Sequence, residues 1–130
     1  MKIAVTSAGL TLHSSVDVKC GRCAYLAIAD SRFVLCEALT NPGRNLGRHA
    51  GVQMARLLQE RGVNTVLTGN CGPEAFRALH RAGIHVVVGV TGTVRNALEC
   101  LEGGQLRFAR RANVDKYFGL LSLLKSVLPR

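Results

Sequence analysis

Three observations predict an α/β domain in three layers, a mixed five-stranded sheet flanked by helices, with an extra helix at the C-terminus. The chain opens with short β-branched runs and changes near residue 48 to stripes of helical period that alternate with further short runs. One of those runs, His85-Val86-Val87-Val88-Gly89-Val90, is apolar on both faces, as a parallel strand covered on two sides must be. At 130 residues the chain fits one domain, and a domain of this size buries roughly two-thirds of the surface of its unfolded chain.

The elements follow in order. Lys2-Ile3-Ala4-Val5-Thr6 is a compact first strand, ended by the small residues Ser7-Ala8-Gly9, and residues 8 to 22 form a loop. Ala24 to Ala29 and Phe33 to Leu39 read as a hairpin around Asp30-Ser31-Arg32, closed by Asn41-Pro42-Gly43. Ala50, Met54, Leu57 and Leu58 then recur at helical spacing until Gly62. Asn64 to Thr68 is the fourth strand. Gly69-Asn70-Cys71-Gly72 follows it, and Pro73 suits the first turn of a helix striped by Ala75, Leu79 and Ala82 and ended by Gly83. After the fifth strand, Thr91-Gly92-Thr93 leads into a helix with Val94, Ala97, Leu98 and Leu101 on one face, ended by Gly103-Gly104. A short strand is expected at 105 to 108, and Tyr117, Leu120, Leu121, Leu124 and Leu128 stripe a last helix. No repeat or linker divides the chain, so no domain boundary is drawn.

The order βββαβαβα, an antiparallel hairpin followed by right-handed parallel units, is that of a ribonuclease H-like layout. If the first strand is parallel to the fourth and fifth, the loops at 7–23, 40–49, 69–73 and 91–93 share one edge of the sheet. Open α/β sheets bind ligands outside the carboxyl ends of their parallel strands, which is that edge. It carries Cys20, Cys23, Cys71, His13, His49, Arg22, Arg44 and Arg48, and helix N-termini there attract anions. Cys71, just before such a terminus, is expected to have a depressed thiol pKa.

Composition narrows the function classes. Charged residues interrupt every apolar run, so no membrane-spanning helix is expected, and the first residues read as a buried strand and not as an export signal. A cytoplasmic location and reduced thiols follow as expectations, and five cysteines then point to metal ligation or redox chemistry ahead of a disulfide framework. A formal charge of +9 implies an anionic ligand or partner. Nuclease chemistry needs carboxylates converging on metal at strand ends, and the first and fourth strands contain neither Asp nor Glu.

Cys20-Gly21-Arg22-Cys23 has the spacing for two thiolates to share a metal, to act as a redox pair, or to remain free loop thiols. No second pair of similar spacing completes a zinc site, and only the fold can bring Cys71 or a histidine to it. Gly69-Asn70-Cys71-Gly72-Pro73 lacks the pattern of a phosphate loop or a dinucleotide fold, and reads as ligand contact or as a tight strand-to-helix turn. Thr91-Gly92-Thr93 reads as helix capping first and ligand contact second. Cys36 and Cys100 read as packing residues, His80 and His85 as structural, and Arg107, Arg110 and Arg111 as a solvated face.

With these motifs in place, the chain resembles the nitrogenase iron-molybdenum cofactor biosynthesis family, the NifX and NifB C-terminal-like domains that include the Orange-protein-type molybdenum-copper cluster binders. The resemblance spans residues 1 to about 119, which implies a domain over residues 1–119 with residues 120–130 as its C-terminal helical extension. It is carried by Met1 to Ser7, Ser15-Val16-Asp17, Gly21-Arg22-Cys23, Ala50-Gly51, Thr68 to Pro73 with Ala75-Phe76, Gly92-Thr93 with Ala97, and Asn113-Val114 with Phe118-Gly119. It implies a non-catalytic carrier that binds, stores or transfers a metal-sulfur cluster (iron-sulfur or molybdenum-containing) between donor and acceptor proteins. It also implies cofactor contact through Arg22, His49, Gly69, Asn70, Gly72, Thr91, Gly92 and Thr93. Cys20, Cys23 and Cys71 are the candidate metal ligands. Two departures stand out: Cys20 occupies a position where many relatives place Phe, and Lys116-Tyr117-Phe118-Gly119 replaces a common Gly-His-Phe-Gly ending.

Two other readings compete. A thiol redox protein would use Cys20 and Cys23. A nucleic-acid binder would use the +9 charge, although two Tyr and four Phe make a poor base-stacking platform. The C-terminal leucine stripe packs on the domain or pairs two copies as a homodimer.

Overall fold

The structure, a computed structural model, describes residues 2–44 and 49–113. Its elements are β1 (Lys2–Ser7), β2 (Tyr25–Ala29), β3 (Leu35–Thr40), α1 (Ala50–Glu60), β4 (Val63–Leu67), α2 (Pro73–Arg81), β5 (His85–Val87) and α3 (Val94–Glu102). The expected helix at the C-terminus lies outside the described residues.

The strands form one sheet in the order β3-β2-β1-β4-β5. β1 is antiparallel to β2 and β2 to β3, whereas β1, β4 and β5 are parallel. This is the mixed sheet expected from the order of elements. β1 shows why it has three layers. Ile3 and Val5 join the cluster that contains Val94, Ala97 and Leu98 of α3, while Ala4 joins the cluster that contains Met54 and Leu58 of α1 and Leu79 of α2. The period of two along a strand thus feeds two separate cores. Met54, Leu58 and Leu79 are fully buried, each contributing about 1.5–3 kcal/mol. Gly62 and Gly83 follow α1 and α2 at φ 74° and 76°, the left-handed geometry that ends a helix with little strain only at glycine.

Three details differ from expectation. β3 starts at Leu35, not Phe33, because the Asp30 carboxylate accepts the Arg32 and Val34 amides and Phe33 takes φ 62° to close the loop. β5 ends at Val87, because Gly89 turns at φ 76° and its amide donates to the Gly69 carbonyl at 2.7 Å. Residues 105–108 form no strand. Instead the Phe108 ring stacks on His85 at 4.5 Å, and the Ala109 amide donates to the Val86 carbonyl. Among the described residues no helix is long and apolar enough to cross a membrane.

α1 and α2 touch backbone to backbone at their first turns, where a methyl group added to Gly51 would lie 2.7 Å from the Ala75 Cα. Helix propensity favours Gly51→Ala by about 1 kcal/mol. Overpacking backbone against backbone costs about 1–3 kcal/mol, and no side-chain rotation relieves it. The variant is expected to lose up to about 2 kcal/mol net, read as a lower urea midpoint at unchanged slope.

Candidate functional site

The topology puts the ends of β1, β3, β4 and β5 and the start of β2 on one edge, so the four loops named from sequence do share it. Residues 8–24 run along that edge as a strap. Val16 bridges Ser7 and its amide donates to the Gly92 carbonyl at 2.9 Å, Ser15 bridges Thr93, and the Val94 amide donates to the Ser14 carbonyl. Farther on, Lys19 bridges Asn70, and the Asn70 amide donates to the Val18 carbonyl at 2.9 Å. The strap then reaches α1, where Gly21 is so near that an added methyl would lie 2.9 Å from the Gly51 nitrogen.

Two buried polar side chains set the shape of the strap. The Asp17 carboxylate accepts the Lys19 and Ala24 amides, each at 3.0 Å. The Asn41 amide nitrogen donates to the Gly21 and Cys23 carbonyls at 2.9 and 3.0 Å and lies 3.4 Å from the Cys23 Sγ. A third polar side chain holds the next turn. The Asn113 Oδ1 accepts the Cys71 amide at 2.6 Å, and its Nδ2 donates to the Asn70 Oδ1 at 3.0 Å. Sequence reading took none of the three for a site residue. Asn41 stood out only as the end of a strand, and Asp17 and Asn113 only as positions in the family resemblance.

The strap divides the expected site residues. On the α1/α2 side stand Arg22, half-buried in the strap, His49, exposed as the residue that precedes α1, and Gly72, which precedes α2. Gly69 lies beneath Val18, where an added methyl would meet the Val18 Cα at 2.8 Å, so the strap itself requires this glycine. Asn70 is half-buried in its bond to Asn113. Thr91, Gly92 and Thr93 lie toward α3 together with exposed His13. There Thr93 and Asn96 form a reciprocal capping box, so the turn does the capping work expected of it. Arg44 is exposed, and Arg48 lies outside the described residues.

The helix ends differ accordingly. α3 has its side-chain cap, whereas among the described residues no side chain caps α1 or α2. Those two N-termini meet at Gly51 and Ala75, with Gly21 laid on the first turn of α1. Partial positive charge from two helices therefore gathers under Arg22. Glu74, in the first turn of α2, offsets part of it.

Cys20, Cys23 and Cys71 lie below this surface in the apolar core shared with Met54, Leu58 and Leu79. Cys20 neighbours Cys71, whose own thiol donates to the Gly72 carbonyl at 3.7 Å; interaction with Cys71, followed by burial, pushes the Cys20 thiol well above its ordinary pKa, with Thr68 opposing. Burial, followed by the Asp17 charge, raises the Cys23 thiol, and the Asn41 amide opposes the rise. Cys20 and Cys23 thus have different partners despite their spacing. Among the described residues no group of three His, Cys, Asp or Glu side chains could hold a metal ion. The arrangement is a cationic surface over buried thiols, and a soft metal reaching Cys20 would release its proton.

The raised thiols imply a pH dependence. A folded-state pKa above the unfolded value of ~8.5 leaves stability intact below that value and removes it as pH rises toward the folded one. Unfolding free energy in reductant is expected to fall above pH ~9, by up to ~1.4 kcal/mol per pH unit for each such thiol, and Cys23→Ala should flatten the decline. A flat profile to pH ~10 would contradict the burial of these thiols. Asn41→Ala leaves the Gly21 and Cys23 carbonyls without their donor and is expected to cost about 2–3 kcal/mol in urea unfolding.

Known proteins place the chain. The apo form of the orange protein from Desulfovibrio gigas is 36% identical and superposes with a TM-score of 0.83, over 87% of this chain and 96% of that one. A protein from Thermotoga, proposed as a NifB protein, is 27% identical with a TM-score of 0.68, over 82% and 91% of the two chains. A protein from Methanocaldococcus jannaschii, proposed as a dinitrogenase, is 14% identical with a TM-score of 0.60 over 85% and 96%, a likeness of fold alone. No curated protein sequence matches the chain. Residues 1–104 match the family described as dinitrogenase iron-molybdenum cofactor, and the chain belongs to that family.

Proposed function

We propose that the chain binds an anionic metal-sulfur cluster or cofactor precursor at the α1/α2 half of the edge, stores it, and passes it from a donor to an acceptor protein without turnover chemistry. The observation that carries this reading is the contact of two helix N-termini at Gly51 and Ala75, neither with a side-chain cap among the described residues, with Gly21 laid on the first turn of α1 and Arg22 next to it in the strap. Helix N-termini and a guanidinium stabilise an anion by charge and directed N–H groups. Membership of a cofactor family supplies the class of anion. Arg22, His49 and the Asn70–Gly72 turn would contact the cluster. Cys20 and Cys71 would serve as soft donors once deprotonated, with Cys23 held back by Asn41. Thr91, Gly92 and Thr93 would contribute through the strap they anchor. The thiol redox reading is weaker, because Cys20 and Cys23 are buried, protonated and differently partnered.

Anaerobic incubation with tetrathiomolybdate, or with iron and sulfide, tests the reading. A coloured species that survives desalting is expected, with Arg22→Glu weakening retention by about tenfold or more. Cys20→Ser with Cys71→Ser separates the two contributions: loss of colour assigns metal bonds to the thiols, and retained colour assigns the hold to the surface charge. Wild-type protein that keeps neither metal nor sulfide sinks the proposal.

A further inference from the structure

A groove of about 700 Å³ runs between α1 and α2 on the side away from the sheet. Its floor is small and apolar: Ala55 is buried, Ala78 and Ala82 are half-buried, and Val52 is 42% exposed. Arg56, Arg77 and Arg81 line it and are exposed, and among the described residues none has a carboxylate within ion-pairing distance. Among the described residues Glu74 is its one acidic lining residue. The two helices start together at the carboxyl edge, so the groove opens onto the proposed cluster surface, and His49 belongs to both.

We propose that this groove docks an acidic amphipathic segment of the protein that delivers or receives the cluster. The inference deepens the carrier reading and rests on it. Charge selects the occupant. A second copy of this chain carries +9, and residues 114–130 hold three basic residues against one acidic, so both meet the arginines with like charge. Shape argues against nucleic acid, since among the described residues no aromatic side chain lines the groove to stack a base. The eleven residues of α1 span about 16 Å, enough to seat about three turns of a partner helix whose small apolar stripe covers the alanines while its carboxylates reach the arginines. A partner so seated places its adjoining residues beside His49, at the mouth of the cluster surface. The cluster then passes between two proteins in contact without crossing free solvent.

The test uses the full chain and a synthetic helical peptide of about fourteen residues, with alanine and leucine on one stripe and glutamate flanking it. In an isotope-labelled sample, amide shifts are expected to centre on Val52, Ala55, Ala78 and Ala82, and binding should weaken between ~50 and ~300 mM salt. Arg56→Glu with Arg81→Glu should lower affinity by about tenfold or more while the amide spectrum stays dispersed and tetrathiomolybdate loading is unchanged. A matched peptide with lysine in place of glutamate should not bind. The proposal is overturned if the acidic peptide does not bind, if its shifts map elsewhere, or if an oligonucleotide of equal charge binds the groove more tightly. Loading is measured separately, so a failure of the cluster reading is distinguishable from a failure of docking.

Discussion

The carboxyl edge depends on one close approach, the stacking of Gly21 on Gly51 and of Gly51 on Ala75. Hydrophobic burial alone would let α1 and α2 cover the sheet at many separations, since Met54, Leu58 and Leu79 are fully buried farther along the helices. The missing side chains are what draw the first turns together. With them come the two uncapped N-termini, and the strap can lie on α1 only because Gly21 also lacks a Cβ. The spacing of the positive helix ends is thus set by backbone packing, which a ligand cannot easily widen. A surface arranged in advance loses less on binding an anion than one that must be assembled around it.

The fold was legible because its signals are periodic. Alternation in β1 and the helical stripes of α1, α2 and α3 are repeated signals, and Gly62 and Gly83 mark helix ends for a local steric reason. Parallel pairing then followed from connection rules, which is why the common edge of the four loops could be reasoned out before any coordinates. The hairpin boundary failed because Phe33 looks like a strand residue. Its φ of 62° is imposed by the Asp30 carboxylate, which captures two amides of the loop.

The site was legible in location and not in construction. Cys20 and Cys23 invite pairing because they are close in sequence, yet the parallel bridge of Lys19 with Asn70 carries Cys20 toward Cys71 and leaves Cys23 with Asn41. That partner exchange follows from a contact between segments 51 residues apart, and no local spacing encodes it. Gly69 likewise invites a ligand reading, while its neighbour is Val18. Asp17, Asn41 and Asn113 were missed for the opposite reason. Short polar residues in loops are common; what distinguishes Asn41 and Asn113 is backbone groups supplied by distant segments, and what distinguishes Asp17 is its burial while it accepts two amides of its own strap.

Placing the thiols beneath the surface separates two tasks that an exposed thiolate cage would combine. A cage of exposed thiolates binds metal firmly, but its negative charges oppose an anionic cluster, and exchange then requires breaking several metal-sulfur bonds. Here the surface charge comes from helix ends and arginine, while burial keeps Cys20 and Cys23 protonated and uncharged. An anion can therefore be held first by charge alone, a hold that is reversible and screened by salt. Bonds to sulfur would follow only if the metal competes successfully for the protons. On the proposed reading, that order of events suits a protein whose task is to release its cargo. The same desolvation that makes the thiols poor redox partners is what leaves the surface open to an anion.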